Sequence, residues 1–162
     1  MRKSYGRYFR RGPIQMMAGG ALNLDLPGLL DADVDGGYAA AKARLIAYFA
    51  DECTRNLDKL LAHFTSDAEV VTPDGAYHGR AAIAAVYQKS FDSYPGLRVD
   101  VKAGFAGRDA HCFEYRAVLS DAEDRDWLIE GINLMRLQGG LISSLRSFED
   151  APRLLPAGGA SG

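Results

Sequence analysis

The sequence predicts an α+β fold: a cone-shaped, curved antiparallel sheet with three N-terminal helices that enclose a pocket. Three observations lead there. Apolar residues recur at helical spacing between residues 38 and 91. From Leu97 onward the period drops to two. The period-two segments are joined by short turn sequences, which suit antiparallel neighbours and leave no room for crossover helices. Helices grouped ahead of such strands pack on one face of the sheet, and the open mouth of a curved sheet is a favoured ligand site.

Each element has its own reason. YAAAKARLIAYFADEC is rich in Ala and other strong helix formers, so it reads as a first helix. Leu57, Leu60, Leu61 and Phe64 fall at i, i+3, i+4 and i+7, the stripe of a second helix, with Asn56 as its N-cap. Val70 and Val71 form a short strand that stops at Pro73, which lacks the N–H a ladder needs. After Gly79 a third helix carries Ile83, Val86, Tyr87 and Phe91 on one face. LRVDVKAGF then alternates, with Leu97, Val99 and Val101 on one side and Arg98, Asp100 and Lys102 on the other. GRD is a turn. AHCFEYRAVL alternates again, DAEDRD is a charged hairpin loop, and WLIEGINLMRL, QGG and LISSLRSFED read as strand, tight turn and strand.

The bulk composition bounds the function. A chain of 162 residues with 48% apolar and 25% charged residues is expected to form one globular domain. The net charge of −2 argues against nucleic acid as the main partner. Arg2, Lys3, Arg7, Arg10 and Arg11 make the start basic, but Asn23, Asp25 and Pro27 interrupt the apolar stretch behind it, against a secretory signal. No run approaches the roughly 20 apolar residues of a membrane span. Two cysteines, Cys53 and Cys112, make neither a disulfide framework nor a metal cluster, so reduced thiols in a cytoplasmic protein are expected. The three histidines are scattered, so no metal is expected. GGYAAAKAR lacks the strand that a dinucleotide loop follows, so no cofactor is expected. Residues 1–36 read as an N-terminal extension, 37–152 as the domain and 153–162 as a flexible tail.

Several residues are candidates for chemistry. Asp74 lies in the polar elbow Thr72-Pro73-Asp74-Gly75 and has the character of a turn residue. His78 precedes the third helix, and its unperturbed pKa suits acid–base work. His111 opens a strand on the same side as Phe113 and Tyr115. Glu149 and Asp150 end the last long strand, whereas Glu130 has the wrong parity relative to Asn133 and faces away. Phe113, Tyr115, Trp127, Ile129, Met135 and Leu145 are expected to line an apolar, aromatic pocket, with Thr72 at its rim. Such a lining suits a small hydrophobic ligand.

The segment NLDKLLAHFTSDAEVVTPDGAYHGRAAIAAVY, with the order of elements around it, resembles the nuclear-transport-factor-two-like superfamily. Its SnoaL-like polyketide cyclases and delta-5-3-ketosteroid isomerases are the groups this chain looks like, over residues 38 to about 150. The resemblance implies that Tyr48 in RLIAYFA is an oxyanion-hole donor and that Tyr87 in AAVYQKS supports it. Asn133 in EGINLMRL stands where the isomerases keep a protonated aspartate that donates to the developing enolate. An amide NH₂ donates at every pH, so the substitution preserves the donor. Thr72 stands where the isomerases keep the general-base aspartate, and a hydroxyl cannot take that role near neutral pH. The base is therefore open among Asp74, His78, His111 and Glu149; SnoaL-like cyclases resemble this chain in carrying acids near the cavity mouth.

What the resemblance implies is a cofactor-independent enzyme acting on a small hydrophobic carbonyl or phenolic compound by proton transfer through an enolate-like state. Isomerisation, cyclisation and lyase or dehydratase chemistry share that state. The alternatives are a non-catalytic small-molecule-binding or assembly module and, third, an oxygenase small subunit. The family also implies a homodimer formed through the outer face of the sheet.

Overall fold

A computed structural model describes residues 37–105, 107 and 110–156. The chain runs through helices α1 (Gly37–Cys53), α2 (Leu57–Leu61) and α3 (Gly79–Ser93) and strands β1 (Phe64–Thr72), β2 (Gly75–His78), β3 (Gly96–Phe105), β4 (His111–Ser120), β5 (Asp126–Gln138), β6 (Leu141–Glu149) and β7 (Arg153–Leu154). The predicted extension, residues 1–36, lies outside the described residues. The C-terminal stretch expected as a tail begins with a short strand, β7, which pairs with Trp127 and Leu128 of β5.

α1 buries Tyr38, Ala41, Leu45, Tyr48 and Phe49, a stripe three to four residues apart that faces the sheet. Asn56 caps α2 by accepting the Lys59 N–H at 3.0 Å. That helix is shorter than its apolar spacing predicts. Phe64, expected on its buried stripe, instead opens β1, where it pairs with Ile142 of β6. The Phe64 carbonyl accepts from the Arg80 side chain at 2.7 Å, and the His63 carbonyl accepts from the Ile142 N–H at 2.8 Å. Pairing with a strand nearly eighty residues away outweighs local helical spacing, a tertiary override of a weak propensity.

The six long strands lie in the order β2-β1-β6-β5-β4-β3, with β7 beside β5. The sheet is curved, unclosed and mixed, and here the expectation of a wholly antiparallel sheet needs correction. β1 and β6 run parallel. A parallel pair needs a long connection, and here α3 and four strands, β2, β3, β4 and β5, supply it. The polar elbow is a hairpin turn: Thr72 pairs with Gly75, and β2, which sequence spacing missed, folds back on β1. Register shifts in the β1–β6, β3–β4 and β5–β6 pairings mark irregularities of the kind that bend strands. Gly139 (φ 58°) and Gly140 (φ 77°) make the β5–β6 turn, where two left-handed residues match the twist of a hairpin.

The helices cover the concave face, α1 against β3 and β5, α3 against β1 and β2. Phe64, Phe113, Met135, Ile142 and Leu145 are fully buried beneath them. The opposite face of the sheet exposes Phe105, Ile132 and Phe148, with Ile132 and Phe148 directly paired. Among the described residues no helix is long and apolar enough to cross a membrane.

Candidate active site

Between α1, α3, the β1–β2 turn and the sheet lies a cavity of about 620 Å³. Two of its walls carry polar groups. On the helical wall, Tyr48 and Glu52 stand one turn apart on α1, so the helix repeat places both on the cavity side. Tyr87 of α3 completes this wall, its hydroxyl 2.6 Å from that of Tyr48. On the sheet wall stand Tyr115 of β4, Asn133 of β5, and Ser147 and Glu149 of β6. The Tyr115 hydroxyl donates to Glu149 Oε1 at 2.5 Å. The Ser147 hydroxyl donates to Asn133 Oδ1 at 2.7 Å, which leaves the amide NH₂ as the remaining, donating end of Asn133.

The electrostatics follow from burial in an apolar wall. Burial, then the nearby Glu52 carboxylate, then Tyr87 hold Tyr48 well above the usual phenol range. Burial and Glu52 do the same for Tyr87, and burial and Glu149 for Tyr115. All three phenols therefore keep their protons near neutral pH. Burial pushes the Glu52 carboxyl up to about 7, opposed by the positive charge of Arg55 and by a hydrogen bond with Tyr48, and aided by the negative charge of Glu149. A carboxyl that titrates near neutrality can both give and take a proton there.

The cavity brings together Tyr48, Tyr87, Asn133, Glu149, Thr72, Asp74, Tyr115 and Ile129 of the sequence-predicted residues. Thr72 and Asp74 belong to the rim, where the Thr72 hydroxyl accepts the Asp74 N–H at 3.2 Å and so serves the turn. The others lie elsewhere. His78 is exposed at the start of α3, 3.6 Å from Glu69. His111 packs against Tyr38, ring centroids 6.0 Å apart, and burial lowers its pKa. Phe113 stacks on Tyr38 behind the wall, and Met135 and Leu145 fill the core. Trp127 donates its indole N–H to Asp121 at 2.9 Å. Burial raises the Asp121 carboxyl, but hydrogen bonds from Trp127, Arg125 and Glu123 outweigh it and bring the pKa to about 2. Trp127 is thus committed to the hairpin loop. Glu130 is exposed and pairs with Arg153 at 2.7 Å, the outward position its parity predicts.

Of the cavity residues that sequence pattern did not single out, Glu52 and Ser147 bear most directly on the polar contacts. Glu52 carried a signal, an acid four residues after Tyr48 on a stripe that is otherwise apolar. Ser147 alternates with Leu145 and Glu149, so its inward face was readable by parity. Among the described residues no group of three or more His, Cys, Asp or Glu is placed to hold a metal ion.

The profile of the SnoaL-like domain family matches residues 43–145, well over half of the chain. The chain belongs to the SnoaL-like domain family. Solved structures agree on the fold of this SnoaL-like domain. A delta-5-3-ketosteroid isomerase from a Mycobacterium species superposes with a TM-score of 0.64 at 20% identity, covering 72% of this chain and 98% of that one. A protein described as a SnoaL-like polyketide cyclase from Jannaschia sp. CCS1 gives 0.60 at 15% identity, covering 69% and 86%. A ketosteroid-isomerase-like protein from Catenulispora acidiphila, solved with trimethylamine, gives 0.60 at 18% identity, covering 65% and 83%. No curated protein matches the sequence. At these identities the likeness establishes the fold, and a fold alone does not fix the chemistry.

Proposed function

We propose that this SnoaL-like domain is a cofactor-independent enzyme that moves a proton on a small hydrophobic carbonyl or phenolic compound, through an enolate-like state. The reading rests chiefly on one observation. The phenols of Tyr48, Tyr87 and Tyr115, the Asn133 carboxamide and the carboxyl groups of Glu52 and Glu149 are among the groups that line a single cavity.

Each group has a role in this reading. Glu149 accepts the carbon-bound proton. Tyr48 and the Asn133 amide donate to the oxygen on which negative charge grows; removing one such donor typically costs about 10²–10³ in kcat. Tyr87 holds the Tyr48 hydroxyl in place through their 2.6 Å hydrogen bond. In an isomerisation, Glu149 returns its proton to a second carbon. In an aldol-type cyclisation or an elimination, Glu52 supplies a proton to oxygen by way of Tyr48, and its pKa of about 7 suits both halves of the cycle. The isomerase and cyclase folds among the neighbours support this reaction class. Two free thiols, Cys53 and Cys112, fit a cytoplasmic setting. The apolar outer-face residues Phe105, Ile132 and Phe148 support a homodimer through the sheet.

The test is a panel of hydrophobic ketones and phenols. Turnover by the wild-type protein, with solvent-deuterium incorporation at the α-carbon, is the expected result. Ligand binding without turnover or exchange anywhere in the panel would replace the enzyme with a non-catalytic carrier of the same ligands.

A further inference from the structure

The Tyr115–Glu149 hydrogen bond spans three strands. Tyr115 of β4 is in register with Gly131 of β5, and Gly131 is in register with Glu149 of β6. Adjacent strands lie roughly 4.8 Å apart, so the phenol reaches over the middle strand to touch the carboxylate on the far one. The residue it crosses is a glycine. A Cβ at position 131 would stand 3.0 Å from the Tyr115 hydroxyl, 3.0 Å from Glu149 Cγ and 2.8 Å from the Phe148 carbonyl oxygen. The backbone of Gly131 is outside the left-handed region, so any residue could adopt it. What the position requires of its side chain is emptiness.

We propose that Gly131 and Tyr115 are positioning residues for Glu149: the bare strand lets the phenol cross, and the phenol fixes the orientation of the carboxylate inside the cavity. This rests on the proton-transfer reading above. One carboxylate oxygen, Oε1, is engaged by Tyr115 at 2.5 Å, which leaves Oε2 to meet a substrate proton. A carboxylate left free to rotate would sample many unproductive geometries, and orientation is a large part of what a protein site contributes to rate. The charged or titratable groups that interact with Glu149 from the packed elements are Glu52 of α1, Tyr87 of α3 and Tyr115 of β4. Among these, Tyr115 makes the hydrogen bond to it.

A double-mutant cycle tests the proposal, with kcat and KM measured for Tyr115→Phe, Glu149→Gln, their combination and Gly131→Ala. Tyr115→Phe is expected to lower kcat about tenfold while KM stays within about twofold, because orientation and not binding is lost. In the Glu149→Gln background the same change is expected to alter kcat by less than about twofold, since residues acting through one another are not additive. Gly131→Ala is expected to lose at least as much kcat as Tyr115→Phe; should it fail to fold, the cycle stands without it. Equal losses from Tyr115→Phe in both backgrounds would overturn the proposal, as would a folded Gly131→Ala protein with unchanged kcat. If the wild-type protein converts nothing, the proton-transfer reading fails on its own, and a crystal structure of Tyr115→Phe decides the positioning. Glu149 leaving its wild-type rotamer supports it; Glu149 unmoved overturns it.

Discussion

The hydroxyls of Tyr48 and Tyr87 meet at 2.6 Å on the helical wall of the cavity, one from α1 and one from α3. Both side chains are buried, and each hydroxyl is a hydrogen-bond partner of the other. Removing the Tyr48 hydroxyl takes away the hydrogen-bond partner of Tyr87, whereas Tyr48 without Tyr87 keeps its hydrogen bond with Glu52. Tyr48→Phe is expected to cost about 1–3 kcal/mol of stability, the penalty of an unsatisfied buried polar group. Its effect on kcat is expected to be larger, about 10²–10³. Tyr87→Phe is expected to cost less stability, because Tyr48 keeps Glu52 as a partner, and less kcat, since Tyr87 acts through Tyr48. Thermal melts and steady-state kinetics on both variants check this; equal kcat losses would remove the distinction between the two phenols.

Asn133 carries the second donor, held by Ser147 through its carbonyl end. Asn133→Ala is expected to lower kcat by about 10²–10³. Ser147→Ala is expected to produce a smaller loss with little change in KM, because it frees the amide to rotate without deleting it. A Ser147→Ala protein slower than Asn133→Ala would contradict that order.

Glu52 makes stability depend on pH. Its carboxyl titrates at about 7 in the folded protein against an ordinary value of 4.5. Between those values the native state holds a proton that the unfolded chain has released. Stability from this group is therefore present in full below pH 4.5, falls as pH rises and is lost by about pH 7. Glu52→Gln cannot release that proton. The melting temperature of Glu52→Gln relative to wild type is expected to climb across this window and level off above it. A difference that stays flat from pH 4 to pH 8 would contradict the burial of Glu52 as described.

Phe64 is fully buried where β1 meets β6, and its ring lies against those of Tyr48 and Tyr87. Phe64→Ala is expected to cost about 3–5 kcal/mol by chemical denaturation, the usual range for a large core truncation. Loss of turnover is expected alongside, because the two phenols lose the ring between them.

The outer face of the sheet offers an independent test of assembly. Phe148→Glu places a charge beside Ile132, its cross-strand partner. Light scattering is expected to give a dimer for wild type and a monomer for this variant. A wild-type monomer would remove the proposed homodimer.

Much of this molecule could be read from local pattern. The Ala-rich run marked α1, Asn56 marked the start of α2, and strict alternation placed Phe113 and Tyr115 on the inner side of their strand, while Asn133 and Glu149 were singled out by the family resemblance. Parity of the same kind turned Glu130 outward. The end of α2 was misplaced because Phe64 satisfies helical spacing, yet its backbone is claimed by Ile142 from the far end of the domain. Trp127 and His111 have the right parity for the inner face, but parity says nothing about distance along a strand. Trp127 lies at the hairpin end and bonds to Asp121, while His111 lies beside Tyr38.

The sequence by itself determined the periodicities, the turn positions and the face each side chain takes, because those follow from backbone geometry within a few residues. Only the tertiary structure decided that β1 runs parallel to β6, that Glu52 faces Glu149 across one cavity, and that Gly131 lies under the reach of Tyr115. Those facts depend on which distant segments become neighbours. A carboxyl moves to a pKa of about 7 only when other elements pack around it and strip part of the water from its charged form.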